Sequence, residues 1–320
     1  MEQTDYRALK NAACNALTDA EPQPRKLILL HTGIYLLLSL VLILVNFLLE
    51  QKIGQTGGLS GLGTRSILTT IQTVLQYVQI LILPFWEAGY LFATLCWHRR
   101  RATGPATLTE GFRRFGPILR LSLLEGVYYF AIATGSAYLS SFLFMLSPWS
   151  DGFMESFEQM MTDPGFQDGN LTIDSFYSDV DILPILILFA VVFLIAAAPT
   201  FYRFRMTRYA ILDGNRKGAF AAVRISTILM RKNRIALFKL DLSFWWFYLL
   251  DALVNMICYG DLLLPLLGVS LPWSASVNYL IVTLVYSICH LALYGWKRNQ
   301  VQTTYAAVYD HLLAQHLPKA

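Results

Sequence analysis

"LILLHTGIYLLLSLVLILVNFLL", residues 27–49, runs for 23 residues without an Asp, Glu, Lys or Arg. As an α-helix rising about 1.5 Å per residue it reaches about 34 Å, enough to cross a hydrocarbon core of about 30 Å. It begins too late and runs too long for a secretory signal, and no A-x-A cleavage site follows it. The run therefore reads as a retained membrane span, entered from the basic pair Arg25–Lys26.

Five more apolar runs follow, at Val74–Trp97, Leu121–Leu146, Ile182–Tyr202, Leu240–Tyr259 and Val277–Trp296. Each is flanked by Tyr, Trp or basic residues, which anchor spans at the membrane interface. The expected fold is an all-α polytopic membrane helix bundle, one integral membrane domain over 1–320 with six transmembrane helices. Amphipathic cytoplasmic helices are expected at 4–18 and 299–316, where Tyr6, Leu9, Ala13 and Leu17 and then Val301, Tyr305, Val308 and Leu312 form apolar stripes. Composition agrees: 55% of residues are hydrophobic and 14% charged, against about 25% charged in soluble domains.

The cations set the direction. With the N-terminus cytoplasmic, segments 1–26, 98–120, 203–239 and 297–320 hold 23 of the 25 Lys and Arg residues. The exterior segments hold only Lys52 and Arg65. One missed span would invert every later segment, so this asymmetry supports six spans with both termini inside. The net charge of +4 is thus a membrane-flank signal and not a nucleic-acid surface.

The exterior loop 147–181 carries eight acids and no Lys or Arg. Their spacing is not that of a calcium loop, so a solvated exterior surface is expected. Phe153, Met154, Phe157, Met160 and Met161 recur at helical spacing there. "NLT" at 170–172 has the form of a glycosylation sequon, meaningful only in a eukaryotic secretory pathway. "GGLSGLG" at 57–63 lacks the GK[ST] ending of a phosphate loop and reads as a connector. Cys14, Cys96, Cys258 and Cys289 form no CxxC pair and read as small apolar fillers.

Spans two and three resemble spans four and five. Pro84 and Pro199 lie within spans two and four, each span ends in a basic cluster, and an acid then precedes an aromatic run at Glu125 and at Asp241. The pattern is that of parallel repeats, or simply of any span entered from the cytoplasm. The second connector, "KGAFAAVRISTILMRKNRIALF" (217–238), places Ala221, Ala222, Ile225, Ile228 and Leu229 on one helical face. Arg224, Arg231 and Arg234 lie off that face and Lys232 ends it, forming a membrane-surface basic helix. Such a helix suits anionic inner-leaflet lipids, or the underside of the bundle as a face for a protein partner.

"LMRKNRIALFKLDLSFWWF" (229–247) resembles the uncharacterised bacterial integral-membrane family known as domain of unknown function 975. The ends "YRALKNAACNAL" (6–17) and "TTYAAVYDHLL" (303–313) are also similar to that family's ends. The resemblance implies a multi-pass protein of the bacterial plasma membrane, and it implies no catalytic residues.

Ionisable groups within spans are costly and mark candidate sites. Glu125 and Asp241 lie near cytoplasmic ends, within reach of Arg120 and Lys239. Asp251 lies deeper, and Glu87, ten residues before Trp97, falls near the expected midplane. No Lys or Arg occupies a span centre, so Glu87 is expected to be protonated or hydrogen-bonded to a Tyr, Asn or His. Asn255, Asn278 and His290 are candidate neighbours. Glu87, Asp251 and His290 form the candidate intramembrane polar site. It is either a structural contact beside the Pro84 kink or a proton or cation site.

Neither HExxH nor GxSxG occurs, so the sequence points to no catalytic residues, no metal and no cofactor. Two functions follow. The first is a non-enzymatic membrane protein acting by association with the inner leaflet or a protein partner, in envelope homeostasis or as an accessory subunit. The second is a small secondary transporter or lipid-handling protein using Glu87 and Asp251.

Overall fold

A computed structural model describes residues 6–20, 23–55, 62–162, 183–214, 218–257 and 275–316. The sequon at 170–172, most of "GGLSGLG", Cys258 and the later acids of loop 147–181 lie outside the described residues. Most of those described are helical, with no strand among them. The helices are α1 (Tyr6–Ala20), α2 (Gln23–Gln55), α3 (Leu62–His98), α4 (Glu110–Arg113), α5 (Phe115–Met145), α6 (Trp149–Thr162) and α7 (Leu183–Phe204). They continue as α8 (Thr207–Leu212), α9 (Ala219–Met230), α10 (Arg234–Ser243), α11 (Trp245–Ile257), α12 (Ala275–Leu293) and α13 (Asn299–His316). A 3-10 turn, Pro105–Thr109, precedes α4, and a π-helical turn, Tyr294–Arg298, joins α12 to α13.

Among the described residues, four stretches are long and apolar enough to cross a membrane: Gln23–Val45, Ser66–His98, Phe115–Met145 and Pro184–Leu212. A fifth counts if α10 and α11 form one span. The expected run 240–259 is not a straight helix. It breaks at Phe244, whose φ of −111° and ψ of 15° leave the helical region, and α10 meets α11 at 71°. The connector expected at 50–73 is largely helical, since α2 runs to Gln55 and α3 starts at Leu62. The exterior segment expected as a helix in loop 147–181 is α6.

The chain forms two compact units, Met1–Leu121 with Met206–Ala320, and Ser122–Arg205. In the second, the Phe144 ring meets Phe153 of α6 edge-on at 5.5 Å, and Arg203 lies over the Tyr128 ring.

In the first unit α3 changes character along its length. From Ile67 to Leu83 its large apolar side chains include many exposed ones, whereas Phe85, Ala88, Tyr90, Leu91, Ala93, Leu95, Cys96 and Trp97 are buried. The helix spans about 55 Å at 1.5 Å per residue, well beyond one hydrocarbon thickness. Its buried part is covered by α1, α2, α13, α8, the 3-10 turn and α4. Leu27, Ile28, Tyr90, Ala93, Trp97 and Leu108 form one apolar cluster there, with Leu17, Ala20 and Trp86 packed on it. Two glycines permit the closest approach. A Cβ at Gly89 would collide with the Leu108 carbonyl, and one at Gly111 with the Phe85 carbonyl.

Helix α13 runs alongside this half of α3. Successive polar links join Glu87 to Arg298, Tyr90 to Asn299 and Arg99 to Asp310, with separations of 211, 209 and 211 residues. Constant separation means that the two helices run in the same direction. The expected stripe Val301, Tyr305, Val308 and Leu312 is fully buried, and so are Thr303, Thr304, Ala306 and Ala307 beside it. Helix α13 is thus enclosed on several sides rather than lying on a surface.

Helix α3 ends in a Schellman motif. Arg100 sits at φ 55°, its N–H donates to the Trp97 carbonyl, and the Arg101 N–H donates to the Cys96 carbonyl. This end aims Arg99 at Asp310, which accepts from both Nε (2.9 Å) and Nη2 (2.6 Å). Arg99 Nη1 also donates to Asp213, tying α13 and the end of α8 to α3. The two carboxylates hold the Arg99 guanidinium charged. Burial, and then the Asp213 carboxylate, push the Tyr309 phenol up.

Candidate functional site

A polar cavity of about 420 Å³ opens beside the start of this enclosed region. Helix α2 contributes His31, Thr32 and Tyr35, α3 contributes Leu83, Pro84 and Glu87, and α8 and α11 contribute Arg208 and Asn255. Tyr286, His290, Tyr294 and Arg298 come from α12 and the π turn, each four residues after the last. In a regular α-helix four-residue steps drift by about 40°. The wider π turn between Tyr294 and Arg298 counters that drift and keeps Arg298 in the row.

Glu87 lies where the exposed apolar stretch of α3 gives way to the buried one. The expectation that it lacks a cation is overturned. Arg298 Nη2 donates to both Glu87 oxygens at 2.6 Å. Side-chain exposures of 12% for Arg298 and 20% for Glu87 make this a largely desolvated pair. The guanidinium also stacks on Tyr294 and Tyr90, 4.2 and 4.9 Å from their ring centres. The cation comes from the π turn that leads into the helix running parallel to α3. An Arg five residues beyond the apolar run 277–293 was the available signal, but only the tertiary fold joins it to a carboxylate 211 residues earlier.

His290 lies in the cavity wall between Tyr286 and Tyr294, with ring centres 5.2 and 3.8 Å away. Asp251 does not line the cavity. It lies behind Tyr294, whose hydroxyl faces it, while its Oδ1 is buried without a hydrogen bond. Glu87 and His290 therefore come together, and Asp251 is linked to them through Tyr294. Asn255, an expected neighbour, also lines the cavity; the side chain of Asn278 lies outside the described residues. His31, a histidine of the first apolar run, also lines the cavity, and Thr32, Tyr35, Arg208, Tyr286, Tyr294 and Arg298 complete the site without having been singled out by the sequence.

No protein-family model, curated protein or solved structure matches this chain. The site is therefore read from its own chemistry. Among the described residues no group of His, Cys, Asp and Glu is arranged to hold a metal ion. Cys14, Cys96 and Cys289 are free thiols, and the Cys14 sulfur accepts from Gln300 at 2.8 Å.

The second candidate surface is the basic connector. Helix α9 buries Ala222, Val223, Ser226, Leu229 and Met230 and exposes Phe220 and Ile228. The buried face is therefore rotated from the expected one: Val223 and Met230 turn inward, and Ile228 turns outward. Packing on α8 and α13 decides this. Ser226, central to the buried face, accepts from the Met206 N–H at 3.2 Å. Arg224, Arg231 and Lys232 are exposed, and Arg234 is half-buried. Ile235, Phe238, Leu242 and Trp245 continue the exposed apolar positions along α10 into α11, 50–74% exposed. Asp241 faces inward, accepting from the hydroxyls of Tyr305 and, at 3.5 Å, Tyr248. Two tyrosine hydroxyls thus meet its carboxylate.

Proposed function

We propose that this chain is a six-span protein of the bacterial plasma membrane, with both termini cytoplasmic, that acts without enzymatic chemistry by associating with the anionic inner leaflet. The cation distribution supports the orientation, and the sixth span would be α12. On this reading the lipid-facing part of α3 ends near Pro84. Its buried half, with α1, α4, α8, α9 and α13, forms a cytoplasmic body beneath the membrane.

The observation that carries the proposal is the 71° bend between α10 and α11. If α11 stands near the membrane normal, α10 lies close to the membrane plane. Its outward face bears Ile235, Phe238 and Leu242 beside Lys239, an apolar strip edged by charge. Such a face enters the headgroup boundary, with each cation contributing about 1 kcal/mol near an anionic surface. Arg224, Arg231 and Lys232 extend the basic edge along the α9–α10 junction.

The test uses spin labels at Phe238→Cys and Arg113→Cys in a background lacking the native cysteines, reconstituted with and without anionic lipid. At position 238 collisions with oxygen should exceed those with a water-soluble nickel complex, and anionic lipid should increase the contrast. At position 113 nickel should dominate. Equal nickel access at both positions removes the leaflet association. A second reading, handling of a ligand in the cavity, is favoured by the clustering of polar groups around Glu87.

A further inference from the structure

The reading that the cavity handles a ligand, on which this inference rests, can be taken as far as the ligand's chemistry. Four buried polar atoms in the cavity wall make no hydrogen bond: His31 Nδ1 and Nε2, Thr32 Oγ1 and His290 Nδ1. Their residues are 3%, 2% and 6% exposed, so water outside the cavity does not satisfy them. Buried polar atoms in native proteins are paired almost without exception, and unpaired ones gathered around one space mark where a polar partner binds. The volume, about 420 Å³, falls in the range of small-molecule sites, about 300–1,000 Å³.

Both imidazoles are held by their faces. The His31 ring stacks on Trp86 at 5.5 Å, 8° from parallel, and lies 4.8 Å from the Tyr90 ring. The His290 ring packs between Tyr286 and Tyr294. Polar contact is left to the ring edges, where the nitrogens are. His31 Nε2 stands 3.8 Å from Glu87 Oε2, beyond hydrogen-bond reach, and Arg298 Nη2 already serves both oxygens of that carboxylate. A neutral imidazole carries one N–H donor and one lone-pair acceptor, and a hydroxyl such as that of Thr32 both donates and accepts. A group that only accepts leaves the lone-pair nitrogen of His31 unmatched, and one that only donates leaves its N–H unmatched. An alcohol does both at one atom and rotates to suit either partner. Four atoms on three side chains call for more than one hydroxyl. Among the described residues the His, Cys and acidic side chains are not arranged to hold a metal ion instead. Tyr35, Leu83 and Pro84 offer apolar surface for a carbon skeleton.

We propose that the cavity bounded by His31, Thr32 and His290 binds a polyhydroxylated ligand, a sugar or other polyol. His31 donates to one ligand hydroxyl from its protonated nitrogen and accepts from another at its bare one, Thr32 meets a hydroxyl with its own, and His290 Nδ1 takes a further one. His31, Thr32 and His290 are binding residues; Trp86 and Tyr90 are positioning residues for the His31 ring. The polyol arrives either free in solution or as the headgroup of a glycolipid.

The experiment uses the full chain in phosphatidylcholine liposomes, isotopically labelled in the ring nitrogens of its five histidines. Solid-state NMR follows the imidazole nitrogen signals, assigned with His31→Phe and His290→Phe. One arm titrates glucose, a second replaces part of the lipid with glucosyl diacylglycerol, and a third titrates inorganic phosphate. The His31 and His290 signals should move while those of His98, His311 and His316 stay. Movement with glucose supports the free source, and movement with glucosyl diacylglycerol alone supports the headgroup. Phosphate should move neither signal. The near-isosteric Thr32→Val should raise the half-saturating amount about fivefold, as loss of one hydrogen bond does, and Thr32→Ser should restore it. Movement with phosphate equal to or greater than that with the hydroxylated probes, or a half-saturating amount unchanged in Thr32→Val, overturns the polyol assignment and leaves ligand handling standing. No movement with any probe overturns both.

Discussion

Arg298 and Glu87 show how one residue's role depends on a partner that local sequence cannot name. Glu87 alone reads as a costly intramembrane acid; with Arg298 Nη2 on both its oxygens it is half of a desolvated pair. Removing one partner leaves a buried charge uncompensated, which costs about 3 kcal/mol or more. Glu87→Gln should therefore lower the thermal midpoint in detergent, and Glu87→Gln/Arg298→Met should recover most of the loss. A double variant no more stable than the single one would show that the pair is not energetically coupled. Arg100 makes the opposite case. It is a non-glycine residue at φ 55° in a Schellman end, and its side chain is 76% exposed. Arg100→Gly should stabilise by about 1 kcal/mol, since glycine occupies that region without a Cβ clash. The sequence gives no hint of this position, because "HRRR" reads simply as a basic span end.

At the scale of elements, α3 is held by backbone contact as much as by side chains. Gly89 and Gly111 let α3 meet the 3-10 turn and α4 with carbonyls where a Cβ would sit. Gly89→Ala or Gly111→Ala should sharply reduce the yield of folded, monodisperse protein. Gly116→Ala, where nothing lies within 4 Å of the added Cβ, serves as the matched control and should not. Arg99 is the second clamp. Its planar fork reaches Asp310 through two nitrogens and Asp213 through the third. Arg99→Lys keeps the charge but cannot reproduce three directed bonds, so its thermal midpoint should fall nearly as far as that of Arg99→Met. Apolar length and charge made the helices themselves legible. The break at Phe244 was not, because residues 240–257 contain no Pro or Gly to mark it and only the local backbone turns. The rotation of α9 was hidden for a related reason: Phe220 and Val223 are both apolar, and contact with α8 and α13 alone decides which is buried.

At the scale of the molecule, the all-helical, membrane-compatible character was plain from composition. The enclosed half of α3 was not, since hydropathy scores burial in protein and burial in lipid alike. What distinguishes them is the parallel course of α13, a helix whose polar marks, Asn299, Thr303, Thr304 and Asp310, read as surface until Tyr90 and Arg99 are placed beside them. Deleting 299–320 should leave the chain able to insert but unable to stay monodisperse on size-exclusion chromatography in detergent. The same arrangement sets a schedule for synthesis. Glu87, Tyr90 and Arg99 emerge from the ribosome some 210 residues before the groups that receive them. At about 5–20 residues per second that is roughly 10–40 seconds. Throughout that interval α3 carries an unclosed seam, and its completion waits for α13 to be made.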